Sequence, residues 1–158
     1  MRQPKFFEIE ALINRLATVP ALIAHAIERW REMELHIPPI QGEWSVADVF
    51  AHMRAVDDLW IPRVYAIVIR DRPSLTAYDE RRWAEVVGYA HADFHSSLTL
   101  YTLRRAELVR MLHHIGLNEW QRIGMHEEYG PISLFDIIKG WVEHEEEHYA
   151  QLAAICNR

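Results

Sequence analysis

The sequence predicts an all-α protein, a four-helix bundle with short extra helices in its connectors. Three observations predict it. Apolar residues recur at helical spacing over four long stretches, two serine-to-aspartate signals mark helix starts, and no stretch shows the apolar–polar alternation of a half-buried strand. At 158 residues the chain suits one domain with a sizeable core. No repeat, low-complexity tract or linker divides it, so residues 1–158 read as a single unit.

Ile9, Leu12, Ile13 and Leu16 give the first helical stripe. Pro20 is expected to break or kink it, because proline has no N–H to donate. The pattern resumes at Leu22, Ile23, Ala26, Ile27 and Trp30 and runs to about Met33. His36-Ile37-Pro38-Pro39 then forces an extended connector. The second long helix starts after Ser45, an N-cap with Asp48 as its capping-box partner. Val46, Val49, Phe50, Met53, Val56, Trp60, Val64, Ile67 and Val68 carry it to about Arg70, with Pro62 at a position able to kink it. Asp71-Arg72-Pro73-Ser74 ends that helix, and a shorter helical piece runs from Tyr78-Asp79 to about Val87.

The third long helix spans roughly Ala92 to His114, through Phe94, Leu98, Tyr101, Leu108 and Leu112, and stops at Gly116. From Leu117 to Gly130 the chain reads as irregular, with one possible turn at Glu119-Trp120-Gln121-Arg122. The fourth helix opens at Gly130-Pro131-Ile132-Ser133, with Ser133 as N-cap and Asp136 three residues on. Leu134, Ile137, Ile138, Trp141, Leu152 and Ile155 form its apolar stripe.

Composition narrows the function. A formal net charge of −6 argues against general nucleic-acid binding, which leaves a basic footprint. No stretch is apolar and long enough to span a membrane. The N-terminus lacks the apolar core of a secretory signal, and the lone Cys156 rules out an internal disulfide, so a reducing cytoplasm is expected. Cys156 has no evident activating neighbour and reads as a packed thiol.

The chemistry concentrates in His144-Glu145-Glu146-Glu147-His148. Two histidines four apart share one face of a helix, close enough to share an ion. Both interrupt the core-facing stripe, where an unpaired polar group costs about 1–3 kcal/mol. The string matches the zinc-protease motif H-E-x-x-H, with Glu145 as its base. The ten residues after His148 hold no histidine, aspartate or glutamate, so a zincin protease is not expected. An upstream third ligand fits better: His52 points to the core edge of the second helix. Three neutral imidazoles leave a coordination position open for water or substrate. The structural alternative is a set of buried histidines bonded to carboxylates. Glu145, or Asp57 one turn past His52, is expected to assist as a base or to orient an imidazole.

Other histidines read as incidental. His91 and His95 are expected to be exposed, His113 and His114 to be cations at a helix C-terminus, and His126 to be a loop residue without a role. Arg104 and Arg105 read as surface salt-bridge partners.

Four stretches together resemble the DinB-like (YfiT-like) superfamily of metal-dependent hydrolases and thiol transferases. They are Gly42-Glu43-Trp44-Ser45-Val46-Ala47-Asp48-Val49-Phe50-Ala51-His52, Arg105-Ala106-Glu107-Leu108, Gly130-Pro131-Ile132-Ser133-Leu134, and His144-x-x-x-His148-Tyr149-Ala150-Gln151-Leu152. The resemblance implies up-down-down-up connectivity, a homodimer, and a nickel or zinc ion on His52, His144 and His148. It also implies a small-molecule substrate, with a low-molecular-weight thiol such as bacillithiol or mycothiol as a cofactor in the transferase members. Family sequences often carry aspartate where this chain has Glu145, which moves that carboxylate by one methylene. The expected function is therefore a metal-dependent enzyme that activates a thiol (S-transferase) or water (hydrolase). The alternative is a non-catalytic dimeric helical stress-response or binding protein with a structural or sensory metal.

Overall fold

A computed structural model describes residues 3–157; Met1, Arg2 and Arg158 lie outside the described residues. Four long helices carry the architecture: α1 (Phe6–Ala26), α3 (Val46–Ile69), α5 (Phe94–His114) and α6 (Leu134–Cys156). Two short helices, α2 (Glu32–Leu35) and α4 (Glu80–Val87), sit in the connectors. Both predicted serine N-caps are present, with the full reciprocal capping box at Ser45 and Asp48. Ser45 Oγ accepts the Asp48 N–H at 3.1 Å, and Ser133 Oγ accepts that of Asp136 at 3.1 Å.

Two apolar clusters fix the direction of each helix. One joins Ile9, Leu12 and Leu16 of α1 to the C-terminal halves of α3 and α5 and to Leu134, Ile138 and Trp141 of α6. The other joins Val19 and Ile23 of α1 to the first halves of α3 and α5 and to Leu152 and Ile155 of α6. Hence α1 and α6 run one way while α3 and α5 run the other, which is up-down-down-up. Helix α1 packs on α5 and α6, and α3 packs on α6 and more lightly on α5, so the connections from α1 to α3 and from α5 to α6 cross the bundle. Among the described residues no helix is long and apolar enough to cross a membrane.

Pro20 neither breaks nor ends α1, which continues to Ala26. Proline has no N–H for the carbonyl four residues earlier. That carbonyl, on Leu16, accepts instead from Arg105 Nη1 at 3.3 Å. The helix stops at Ala26, short of the expected Met33, and α2 forms separately.

No strand was expected from the sequence; among the described residues there are three. β1 (Ser74–Leu75) pairs in parallel with β2 (Ile123–His126), which pairs antiparallel with β3 (Gly130–Ser133). Two to four residues are too few to display alternation. Gly124 seats this sheet: a Cβ there would come within 2.5 Å of the Leu75 side chain. Helix α4 buries no residue of its own. It is tied to the bundle through Asp58, which accepts from Trp83 Nε1 at 3.3 Å and from the Tyr89 hydroxyl.

Candidate metal centre

His52 lies in the second turn of α3, directly after the Ser45 cap, while His144 and His148 lie one turn apart on α6. These two helices pack against each other, and the three imidazoles meet in the groove between them. His52 Nε2 and His144 Nε2 are 2.9 Å apart. Ring centroids lie 4.4 Å apart for His144 and His148, 4.7 Å for His52 and His148, and 5.0 Å for His52 and His144. One ligand atom from each residue falls within 4.8 Å of the others, and no fourth histidine, cysteine or carboxylate joins them among the described residues.

Burial, with the charge of His148 next and that of Arg81 after it, pushes the His52 imidazole down to about 4. Burial followed by His148 and His52 pushes His144 down to about 3. Both rings are therefore neutral at physiological pH, the form that coordinates a metal. His148 Nδ1 lies 3.1 Å from Gln151 Oε1. An amide oxygen only accepts, so a ring proton sits on Nδ1 and Nε2 is the nitrogen left for an ion. Nδ1 of His52 and of His144 is buried without a hydrogen-bond partner. Packing orients those rings, and Trp44 is the wall, with its ring centroid 5.7 Å from His52 and 6.4 Å from His148.

Arg81 of α4 covers the outer face of Trp44 at 5.4 Å. On one side a cleft of about 460 Å³ is lined by Asp48, His52, Glu85 and His91. On the other a cleft of about 610 Å³ is lined by Glu147, His148 and Gln151. Trp44 and Arg81 border both. Trp44 and Gln151 stand in the motifs read above, and Gln151, three residues after His148, was legible as its partner. No sequence signal singles out Arg81, because the fold alone brings α4 to Trp44.

Glu145 and Asp57 lie elsewhere. Both are fully buried and converge on Arg105 of α5, itself 1% exposed. Arg105 Nη2 donates to Asp57 Oδ1 at 2.6 Å, Nη1 donates to Glu145 Oε2 at 2.6 Å, and the Tyr101 hydroxyl donates to Glu145 Oε1. The guanidinium also lies 4.9 Å from the rings of Tyr101 and Trp141. Burial, partly offset by Arg105, raises Asp57 to about 6. Neither carboxylate bonds a site imidazole, so the expected assistance at the histidines has no contact to rest on. Arg105 is not the surface partner expected of it; Arg104 does form a salt bridge, to Asp58, but a half-buried one. His91 and His95 are exposed as expected, but they sit on separate elements. His126 is on β2, buried and stacked on Tyr129 at 4.8 Å.

A sequence model of the DinB superfamily matches residues 15–152. The chain belongs to the DinB superfamily. Two curated relatives, both named provisionally as metal-dependent hydrolases, align along nearly all of it. One, from Oceanobacillus iheyensis, is 24% identical over 150 residues, covering 95% of this chain and 87% of its own. The other, YfiT of Bacillus subtilis, is 24% identical over 147 residues, covering 92% and 83%. The solved structure of YfiT, described as a probable metal-dependent hydrolase with an unusual four-helix bundle topology, superposes with a TM-score of 0.88. It covers 100% of this chain and 91% of that one at 23% identity, a likeness of fold. The DinB-superfamily bundle thus accounts for the crossing connections, and His52, His144 and His148 form its candidate ion site here.

Proposed function

We propose that this DinB-superfamily protein is a metal-dependent hydrolase of small molecules, with a divalent ion held by His52, His144 and His148. The observation that carries the reading is the convergence of three imidazoles with no fourth protein ligand among the described residues. Structural zinc sites are closed by four protein ligands, and catalytic sites keep a position open. The residues fit an ion: three nitrogen donors converge, two of them are held neutral by burial, and Gln151 fixes the tautomer of the third. Three imidazoles suit zinc or nickel among others. Bound there, such an ion supplies Lewis acidity that lowers the pKa of a coordinated water or thiol. Trp44 and Arg81 shape the approach and exclude bulk water from one face. In this reading Arg105, with Glu145 and Asp57, holds α3, α5 and α6 in register so that the histidines meet.

A second reading is thiol S-transfer, favoured by the two clefts that flank Trp44, since a thiol and an electrophile each need a pocket. The test loads untagged protein with zinc or nickel and follows an ester and amide panel and a generic electrophile, with and without low-molecular-weight thiols. Metal-dependent turnover unaffected by thiol is the expected result. Turnover that requires thiol would move the assignment to a transferase. No rate above buffer in any metal-loaded sample would leave the ion a structural or sensory role.

A further inference from the structure

A second polar cavity lies farther along the α3–α6 groove. Arg63 follows His52 by eleven residues, which returns it to the same face of α3 about 16 Å along the axis. It borders a cavity of about 160 Å³ with Trp60, Tyr78, His126 and Tyr129. Arg63 is 8% exposed, and no carboxylate lies within ion-pair distance of it among the described residues. Its Nη2 donates to the Thr76 carbonyl and its guanidinium lies 5.6 Å from the Tyr78 ring, but Nε has no acceptor in the protein. Trp60 Nε1 is likewise buried without an acceptor. His126 Nδ1 accepts the backbone N–H groups of Glu128 at 3.2 Å and Tyr129 at 3.4 Å, so its proton is on Nε2.

Arg63 is thus a buried cation with no carboxylate in reach among the described residues, and buried charges in proteins are normally paired. Negative charge stands farther out. Glu80 and Glu128 line the cavity and act on Arg63 electrostatically without reaching it, and Glu128 is exposed. The polarity runs from donor floor to acidic rim.

We propose that this cavity binds a small zwitterion, an amino acid or a molecule with an amino-acid head. Its carboxylate meets the Arg63 guanidinium, its ammonium faces Glu80 and Glu128, and its side chain lies between Tyr78 and Tyr129. The proposal is independent of an ion at the histidines.

The test is isothermal titration of the full-length protein with valine, valinamide and isovalerate. Valine is expected to bind, and the other two, each lacking one charge of the zwitterion, about tenfold or more weakly. Arg63→Met should weaken valine binding by about tenfold or more. Glu80→Gln with Glu128→Gln keeps the shape of the rim, removes the charges that face the ammonium and should weaken valine binding severalfold while folding like the wild type. Valinamide or isovalerate binding as well as valine would overturn the proposal. So would unchanged valine affinity in that double variant, or no valine binding at millimolar concentration.

Discussion

His144 and Glu145 are adjacent in the chain, yet they serve two different buried polar clusters. Around Glu145, Asp57, Arg105 and Tyr101, every charge meets an opposite charge or a donor inside the bundle, all four side chains are essentially solvent-free, and no cleft opens on them. Around His144, the three imidazoles have only one another and Gln151 as hydrogen-bond partners among the described residues, burial drives two of them neutral, and two clefts reach the rings. In the first cluster the charges are paired within the protein, and only Asp57 Oδ2 and Arg105 Nε are left without a hydrogen bond among the described residues. The second is complete only with something added. Buried polarity alone does not mark a site; buried polarity without an internal counterpart, reachable from solvent, does.

The largest expected effect falls on the paired cluster. Arg105→Ala leaves two carboxylates buried without their partner and should cost about 3–5 kcal/mol of stability, read by urea denaturation. A loss below about 1 kcal/mol would mean the network is not the clamp described here. His52→Ala should leave the metal-free fold close to wild type and lower ion affinity by at least about a hundredfold, measured by competition with a chromophoric chelator. Gln151→Ala removes only the acceptor behind His148, so a smaller loss, about tenfold, is expected in the same assay.

A further effect is a pH dependence. In the unfolded chain His144 titrates near its ordinary 6.5, while in the fold it titrates at about 3. Between those values the unfolded state binds more protons, so the metal-free protein loses stability as pH falls below about 6.5. His144→Ala should flatten that part of the curve. Identical pH profiles for the two proteins would contradict the depressed pKa.

The helices were legible because apolar periodicity and the Ser45–Asp48 and Ser133–Asp136 caps act locally, and local signals survive in a sequence. The histidine cluster was half legible. Spacing gave His144 and His148, and joining His52 to them took the bundle and the superfamily resemblance. Arg105 was not legible, since Arg104 and Arg105 look alike in sequence and only helix rotation sends one to Asp58 and the other inward. That same inward turn explains why Pro20 does not end α1: Arg105 takes up the Leu16 carbonyl from across the bundle. Contacts between residues 89 positions apart leave no trace in local pattern.

The central claim is that the incomplete cluster is an ion site shared by α3 and α6. Elemental mass spectrometry on untagged protein, wild type beside His52→Ala and His144→Ala, addresses it most directly. The account predicts about one zinc or nickel ion per wild-type chain and loss of it in both variants. A wild-type protein that takes up no ion after incubation with zinc and nickel, or variants that retain it, would contradict the account.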